Sequence, residues 1–262
     1  MSVKHTNIFV LLTFLILLFL TFECIAQKKA HRRFLKDPDF IIEPSTPVIL
    51  EDALKPFNDS NNNAEYRITL CVDVPYNKNP MKVLYQLEPG HVFLILQKIN
   101  KIITDTIHEV FGFYPKKKLP VFFARRVKSQ VKDNSRREYD VALSKMLTKE
   151  QFQMVIDVAL KYSHAEYHLN RFNCYDYAMQ IFNTVAGSDK LTPKYVKFPF
   201  PFGKGGSPCG LYKYMMQMKD STTVWTPYIE FGNLVAPKST KLKEQLLGKT
   251  NVMINAFIPA VK

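Results

Sequence analysis

The sequence predicts an α+β fold in which an antiparallel sheet packs against helices. Two stretches, one from Tyr66 to Pro75 and one that begins at His91, have the composition and periodicity of strands. Two later stretches, which follow Thr148 and Asn173, have apolar residues at helical spacing. The 262 residues are 47% hydrophobic and 23% charged, which is an ordinary globular balance and excludes collagen-like, coiled-coil and disordered chains.

The first 26 residues predict a secretory signal peptide that is cleaved after Ala26. Lys4 precedes an apolar run from Ile8 to Phe22. The run has 15 residues, fewer than the ~20 needed to span a bilayer. A lipoprotein signal at Cys24 is the alternative, but Glu23 stands where a small residue is expected. We therefore expect an exported protein, periplasmic or secreted, with a flexible basic and polar arm over residues 27–65 and no membrane span after cleavage.

The charge balance favours acidic partners. Thirty-six Lys and Arg residues against 23 Asp and Glu give a formal net charge of +13, and removal of the predicted signal peptide leaves that value unchanged. For an exported monomer, we expect a cell-wall peptide or another anionic envelope polymer rather than nucleic acid. A solvated basic surface without a specific ligand is the alternative.

The strands are predicted in chain order. In the strand from Tyr66, alternate residues form one apolar face, and the segment from His91 onward predicts a hairpin. A four-residue loop at Lys98–Lys101 pairs Gln97 with Ile102 and places His91 opposite His108. Any loop with an even number of residues keeps the two histidines on the same face of the sheet. The segment REYDVAL predicts a further strand. The alternating residues of the first strand are Ile68, Leu70, Val72 and Val74.

The helices have recognisable starts. Thr148 and Gln151 form a capping box for one helix, and Asn173 caps a second helix that ends before Gly187. A Pro/Gly-rich loop and a short helix at LYKYMMQMK follow. This organisation predicts one domain over residues 66–220 and a C-terminal extension over residues 221–262.

Cys174 is the candidate nucleophile because it is predicted at the first position of a helix. Unpaired backbone N–H groups and the helix dipole favour an anion there, so we expect a lowered thiol pKa. His91, at the start of a strand, is the candidate base, and His108 is the candidate for the residue that orients it. The alternative for Cys174 is a buried structural cysteine or half of a disulfide.

The series TLCVDVP, PGHVFLIL, FGFYP, NCYDYA and GGSPCGLY resembles a family of exported bacterial domains that also occur at the ends of RHS-repeat proteins. The order of histidine before cysteine is similar to the circularly permuted branch of the NlpC-like, papain-fold superfamily, which includes lecithin:retinol acyltransferase relatives. The resemblance covers residues 66–219. It implies a papain-like α+β fold with Cys174 as nucleophile and His91 as base.

With the resemblance, the sequence predicts a thiol hydrolase or acyltransferase that acts on an amide or ester bond and needs no cofactor. Cell-wall peptide is the first expected substrate; acyl transfer from lipid and a non-catalytic envelope-binding module are the alternatives. A disulfide between Cys71 and Cys209 would leave Cys174 as the one free thiol. No metal is expected, although His164 and His168 have the spacing of two zinc ligands on one helix.

Overall fold

The computed structural model describes residues 45–58, 63–75, 90–101, 106–117, 121, 126–198 and 203–240. All of them belong to one compact unit within Glu43–Lys262. The predicted signal peptide and most of the predicted basic arm lie outside these residues. Within the described ranges, no helix has both the length and the apolar character needed to cross a bilayer.

The described residues form a six-stranded antiparallel sheet with helices packed on one face, which confirms the predicted α+β class. Its strands are β1 (Ala64–Asp73), β2 (His91–Asn100), β3 (Thr106–Pro115), β4 (Ser129–Asp133), β5 (Glu138–Leu147) and β8 (Ile229–Val235). A separate two-stranded ladder joins β6 (Val196–Lys197) to β7 (Lys204–Gly205). The strand order of the large sheet is β4-β3-β2-β1-β5-β8, so β2 and β1 are its two central strands.

The alternation predicted for β1 is confirmed. The side chains of Ile68, Leu70 and Val72 are fully buried in the main core, together with those of Val92, Leu94 and Leu96 from β2. The opposite face carries a smaller buried cluster of Cys71, Phe93, Ile95, Val110 and Ala236. Because both faces of the central strands are buried, these strands are apolar almost throughout.

The predicted register of the hairpin is wrong by six residues. Gln97 pairs with His108 rather than with Ile102, and Phe93 pairs with Gly112. The cause is the length of the strand, since β2 continues to Asn100 and β3 begins only at Thr106. His91 and His108 stay on the same face, because the shift is even, but they are not opposite each other.

The sheet extends beyond the domain limits that the sequence predicted. β8 lies in the predicted C-terminal extension, yet it pairs with β5 from Glu138 to Leu143. After β8, the backbone N–H of Thr240 donates to the carbonyl of His108, and the backbone N–H of Val110 donates to Ser239 Oγ. This tail therefore covers the edge of β3 where β4 has ended.

The helices start where their capping residues predicted. α2 (Lys149–Ser163) has the complete capping box of Thr148 and Gln151, and α3 (Cys174–Thr184) is capped by Asn173. α3 contacts β2, β3 and β1 through a buried face that includes Ala178, Ile181 and Phe182. The other helices among the described residues are α1 (Leu50–Ala53), α4 (Pro208–Asp220) and two short 3-10 turns, Lys55–Asn58 and Thr226–Tyr228.

The predicted Cys71–Cys209 disulfide is wrong. None of Cys71, Cys174 and Cys209 is in a disulfide, and all three are buried. Cys71 belongs to the cluster on the outer face of the sheet, whereas Cys209 lies in the main core on the helix side. Because the sheet separates their side chains, the two thiols do not meet.

Glu109 gives the fold a pH-dependent element. Its side chain is 3% exposed, and burial, with the charge of Asp133, raises its pKa from 4.5 to about 9 against a hydrogen bond with Ser239. The folded state therefore holds a proton that the unfolded chain releases near pH 4.5, so stability falls as pH rises from about 4.5 to about 9.

We expect Glu109→Gln to reduce the decrease in stability with rising pH. In urea titrations between pH 5 and 9, the stability difference between the variant and the wild type should grow in favour of the variant by up to about 1.4 kcal/mol per pH unit. Glu138→Gln, at a partly exposed residue of β5, is the control and should follow the wild type. Parallel profiles for Glu109→Gln and the wild type would contradict this account.

Candidate active site

Asn173 fixes the start of the helix that carries Cys174. Its side-chain oxygen accepts from the backbone N–H groups of Tyr175 (2.7 Å) and Asp176 (3.4 Å). Asp176 accepts in return from the backbone N–H of Asn173 at 3.0 Å. This reciprocal cap places Cys174 at the first helical position, as predicted, and its side chain is 7% exposed.

The thiol of Cys174 lies between the end of the sheet and the start of α3. Burial raises its pKa to about 11, against backbone N–H groups of Val92 and Tyr175 and the charge of Arg137, which lower it. The expectation of a lowered thiol pKa is therefore wrong for this state. The helix terminus does favour the thiolate, but the loss of water outweighs it.

His91 is the first residue of β2, and its imidazole is buried at the same end of the sheet. The preceding Gly90 has φ +73, and a Cβ there would meet the carbonyl oxygen of Asp73 at 2.3 Å, so the turn into the strand requires glycine. The imidazole stacks on the ring of Tyr114, with centroids 4.3 Å apart. Burial lowers its pKa well below 6.5; Arg137 lowers it further and Asp73 opposes the shift. The imidazole is therefore neutral at pH 7.

The side chain of Asn134 lies near that of His91. The Nε2 atom of His91 and the Oδ1 atom of Asn134 are both buried without a hydrogen-bond partner among the described residues. Both lie within 2.5 Å of the point where Gly112 would carry a Cβ. The amide nitrogen of Asn134 donates to the hydroxyl of Tyr114 at 2.6 Å. The two polar atoms thus approach the same point over Gly112, where no side chain intervenes, without a hydrogen bond between them.

An ion pair between Arg137 and Asp73 lies at this end of the sheet. Arg137 donates to the Asp73 carboxylate at 2.7 Å, and the side chains are 29% and 6% exposed. Asp73 is the cross-strand partner of His91, and Arg137 is close enough to Cys174 to lower its thiol pKa. The pair is neutral overall, so the thiol and the imidazole lie beside a dipole rather than beside a net charge.

The hydroxyl of Tyr167 lies near Cys174. Burial raises the pKa of Tyr167 well above 10, as does the nearby Cys174, whereas a hydrogen bond from the Cys174 backbone N–H lowers it. Its ring stacks on Phe113, with centroids 5.7 Å apart. A protonated phenol is therefore held next to the start of α3.

His108 does not lie in this group. It pairs with Gln97, and its Nδ1 lies 3.2 Å from the Gln97 side-chain nitrogen. His108 precedes Tyr114, the residue that stacks on His91, by six positions in β3, or roughly 20 Å along an antiparallel strand. The structure thus brings Cys174 and His91 to one end of the sheet and leaves His108 elsewhere.

The suggested zinc ligands are also separated. α2 ends at Ser163, so His164 and His168 do not share a helix face. His164 lies 3.4 Å from Glu51, whereas His168 is buried in a turn that bridges to Phe172. Among the described residues, no three His, Cys, Asp or Glu side chains are placed to hold a metal ion.

Sequence reasoning missed the residues that surround the pair. The FGFYP segment could have indicated Gly112 and Tyr114 as site residues. Gly112 stands between two core phenylalanines, and Tyr114 follows on the outward face. Asn134 and Arg137 carried none, since both lie in the polar segment DNSRRE between two strands. Only the pairing of β3 with β4 brings this segment beside His91.

Comparisons with known proteins add no relative. No protein-family model, curated protein sequence or solved structure matches this chain.

Proposed function

We propose that this protein is an exported thiol hydrolase or acyltransferase that cleaves an amide or ester bond, with a cell-wall peptide as its first expected substrate. Cys174 is the nucleophile, His91 is the base and Asn134 orients the base. The proposal includes a papain-like, permuted NlpC-like fold. Its support is the chain order, in which a strand with the histidine precedes a helix that starts with the cysteine and packs on an antiparallel sheet.

One observation carries the proposal: Cys174 and His91 share their surroundings. The ring of Tyr114 stacks on His91, and the ionisation of Cys174 affects the pKa of the same tyrosine. Arg137 influences the pKa of both residues. The backbone N–H that reaches the thiol belongs to Val92, the residue directly after His91. A buried thiol and a buried imidazole at one end of the sheet, with Tyr114 and Arg137 near both, are the parts of a nucleophile–base pair.

The proposed reaction starts from neutral partners. His91 accepts the thiol proton at Nδ1 while sulfur bonds to the carbonyl carbon, and its Nε2–H turns to the Asn134 oxygen, which stabilises the imidazolium. The tetrahedral intermediate collapses with cleavage of the C–N or C–O bond, and the imidazolium returns its proton to the leaving group. Water then releases the acyl group from Cys174, or a second nucleophile accepts it.

The oxyanion of the intermediate needs donors, and two are present at the nucleophile. The backbone N–H of Cys174 and the hydroxyl of Tyr167 lie together, and the raised phenol pKa keeps that hydroxyl protonated. When a carbonyl oxygen enters, it can accept from both groups. Loss of one such donor costs about 10²- to 10³-fold in turnover, so Tyr167→Phe tests this role.

The experiment that tests the proposal is labelling with iodoacetamide at pH 7, read by peptide mass spectrometry. We expect modification of Cys174 and protection of Cys71 and Cys209, which are 0% and 1% exposed. His91→Ala should slow the labelling of Cys174 at least tenfold, because the base is lost. His108→Ala is the matched control and should leave the rate unchanged. Equal rates in all three proteins would favour the non-catalytic envelope-binding module.

The pH dependence gives a further prediction. Because the pKa of Cys174 is about 11, the thiolate fraction in His91→Ala should rise about tenfold per pH unit between pH 7 and 10, and its labelling rate should rise with it. The wild type should show a shallower slope, since the imidazole accepts the proton during attack. Labelling that stays fast below pH 6 in His91→Ala would show a lowered thiol pKa and contradict this prediction.

A further inference from the structure

A group of lysines that form no ion pair with another described residue lies on the segments that contact the start of α3. We call Lys194, Lys197, Lys204 and Lys213, together with Tyr195, the lysine patch. All five side chains are exposed, that of Tyr195 by 61%. No ion pair joins any of the four lysines to another described residue. The patch thus presents four positive charges and one aromatic ring to solvent.

The backbone holds two of these charges together. Lys197 and Lys204 are direct partners in the antiparallel β6–β7 ladder, so their side chains leave the same face. Like charges at directly opposed positions destabilise a strand pair, and this ladder has only two residue pairs with which to offset the repulsion. An anion between the two ammonium groups would remove it.

The lysine patch is connected to the candidate active site by direct contacts. The carbonyl of Gly206, which follows β7, accepts from the side chain of Asn173 at 2.9 Å, and Asn173 is the residue before the nucleophile. The same glycine packs on the ring of Tyr175, because a Cβ there would overlap that ring. A Cβ at Gly210 in α4 would meet Val196 at 3.0 Å, so α4 packs on β6.

We propose that the lysine patch binds an acidic peptide segment of the substrate, next to the bond that Cys174 attacks. The identity of this peptide as substrate rests on the proposed function. Four separate ammonium groups match carboxylates that are spaced along an extended chain, and Tyr195 offers an apolar surface for the chain between them. A compact phosphate is better matched by a guanidinium fork, and the patch contains no arginine.

The test measures binding of a fluorescein-labelled deca-glutamate peptide to the Cys174→Ser protein by anisotropy. We expect Lys197→Gln/Lys204→Gln to weaken binding at least tenfold, and wild-type affinity to fall as ionic strength rises. The control, Lys101→Gln/Lys149→Gln, removes the same charge at the other end of the sheet, where β2 ends and α2 begins. It should change the affinity less than twofold.

Three results would overturn the inference: equal losses in both double variants, equal binding of deca-glutamine, or tighter binding of a polyphosphate of the same charge. Because binding is measured with the nucleophile removed, the result does not depend on turnover. A patch that binds deca-glutamate in a protein whose Cys174 resists labelling would support the inference and count against the proposed function. Labelling of Cys174 without binding of the peptide would support the proposed function and count against the inference.

Discussion

Gly112→Ala is expected to lower the iodoacetamide labelling rate of Cys174 at pH 7 about as far as His91→Ala, with a loss of turnover of about 10²- to 10⁴-fold. The new methyl group would lie 2.4 Å from the Nε2 atom of His91 and 2.5 Å from the Oδ1 atom of Asn134, so both side chains must move. The imidazole also stacks on the ring of Tyr114, which limits how far it can move. His91 and Asn134 are thus displaced together.

The cost to the fold should be smaller than the cost to the chemistry. Overpacking by one methyl group lowers stability by about 1–3 kcal/mol, which thermal unfolding will record. Gly232→Ala is the matched control, because the nearest atom to its new methyl group is 3.7 Å away; both stability and labelling should stay near wild type. Wild-type labelling in Gly112→Ala, with slow labelling in His91→Ala, would refute the location of the imidazole over Gly112.

Asp73→Ala should lower the free energy of unfolding by about 3 kcal/mol, because it leaves the Arg137 charge without its carboxylate. The value lies at the low end for buried pairs, since 29% of the Arg137 side chain is exposed. Urea titration at pH 7 measures it. Asp52→Ala is the control: Asp52 binds Lys55 at 2.6 Å, but both side chains are 57% exposed, so its loss should cost less than about 1 kcal/mol.

A double variant distinguishes the effect of an unpaired charge from the effect of a smaller side chain. Asp73→Asn/Arg137→Gln removes both charges and keeps polar groups of similar size, so it should recover more than half of the stability lost in Asp73→Ala. Equal losses for Asp73→Ala and Asp52→Ala would contradict the account of Asp73 as a buried partner. Failure of Asp73→Ala to fold, with a folded double variant, would agree with it.

Local chemistry explains what the sequence could predict. Thr148 and Asn173 fix helix starts through hydrogen bonds to residues three positions away or fewer, and the alternation in β1 needs only its own residues. Cys174 and His91 were therefore placed correctly on their elements. These features lie within single segments, where pattern and structure are linked directly.

The failures involve relations between segments. The register of β2 and β3 depends on where each strand ends, which a loop of uncertain length did not reveal, and His108 was misplaced for that reason. The position of Asn134 follows from the pairing of β3 with β4. The raised pKa of Cys174 follows from how completely neighbouring segments exclude water, a quantity that one helix terminus cannot indicate.

Asn173 has a consequence for how relatives of this chain can be recognised. As helix caps, Asn, Asp, Ser and Thr are similar, and a search based on capping would accept all four. In this chain the amide nitrogen also donates to the carbonyls of Leu169 (2.6 Å) and Gly206 (2.9 Å). Aspartate would cap the helix but turn a carboxylate oxygen toward two carbonyls, and serine has a single hydrogen to offer. A relative that keeps the cysteine at this helix start should therefore retain asparagine before it. Another capping residue in that position would indicate that the contacts of the helix start with the Leu169 and Gly206 carbonyls have been lost.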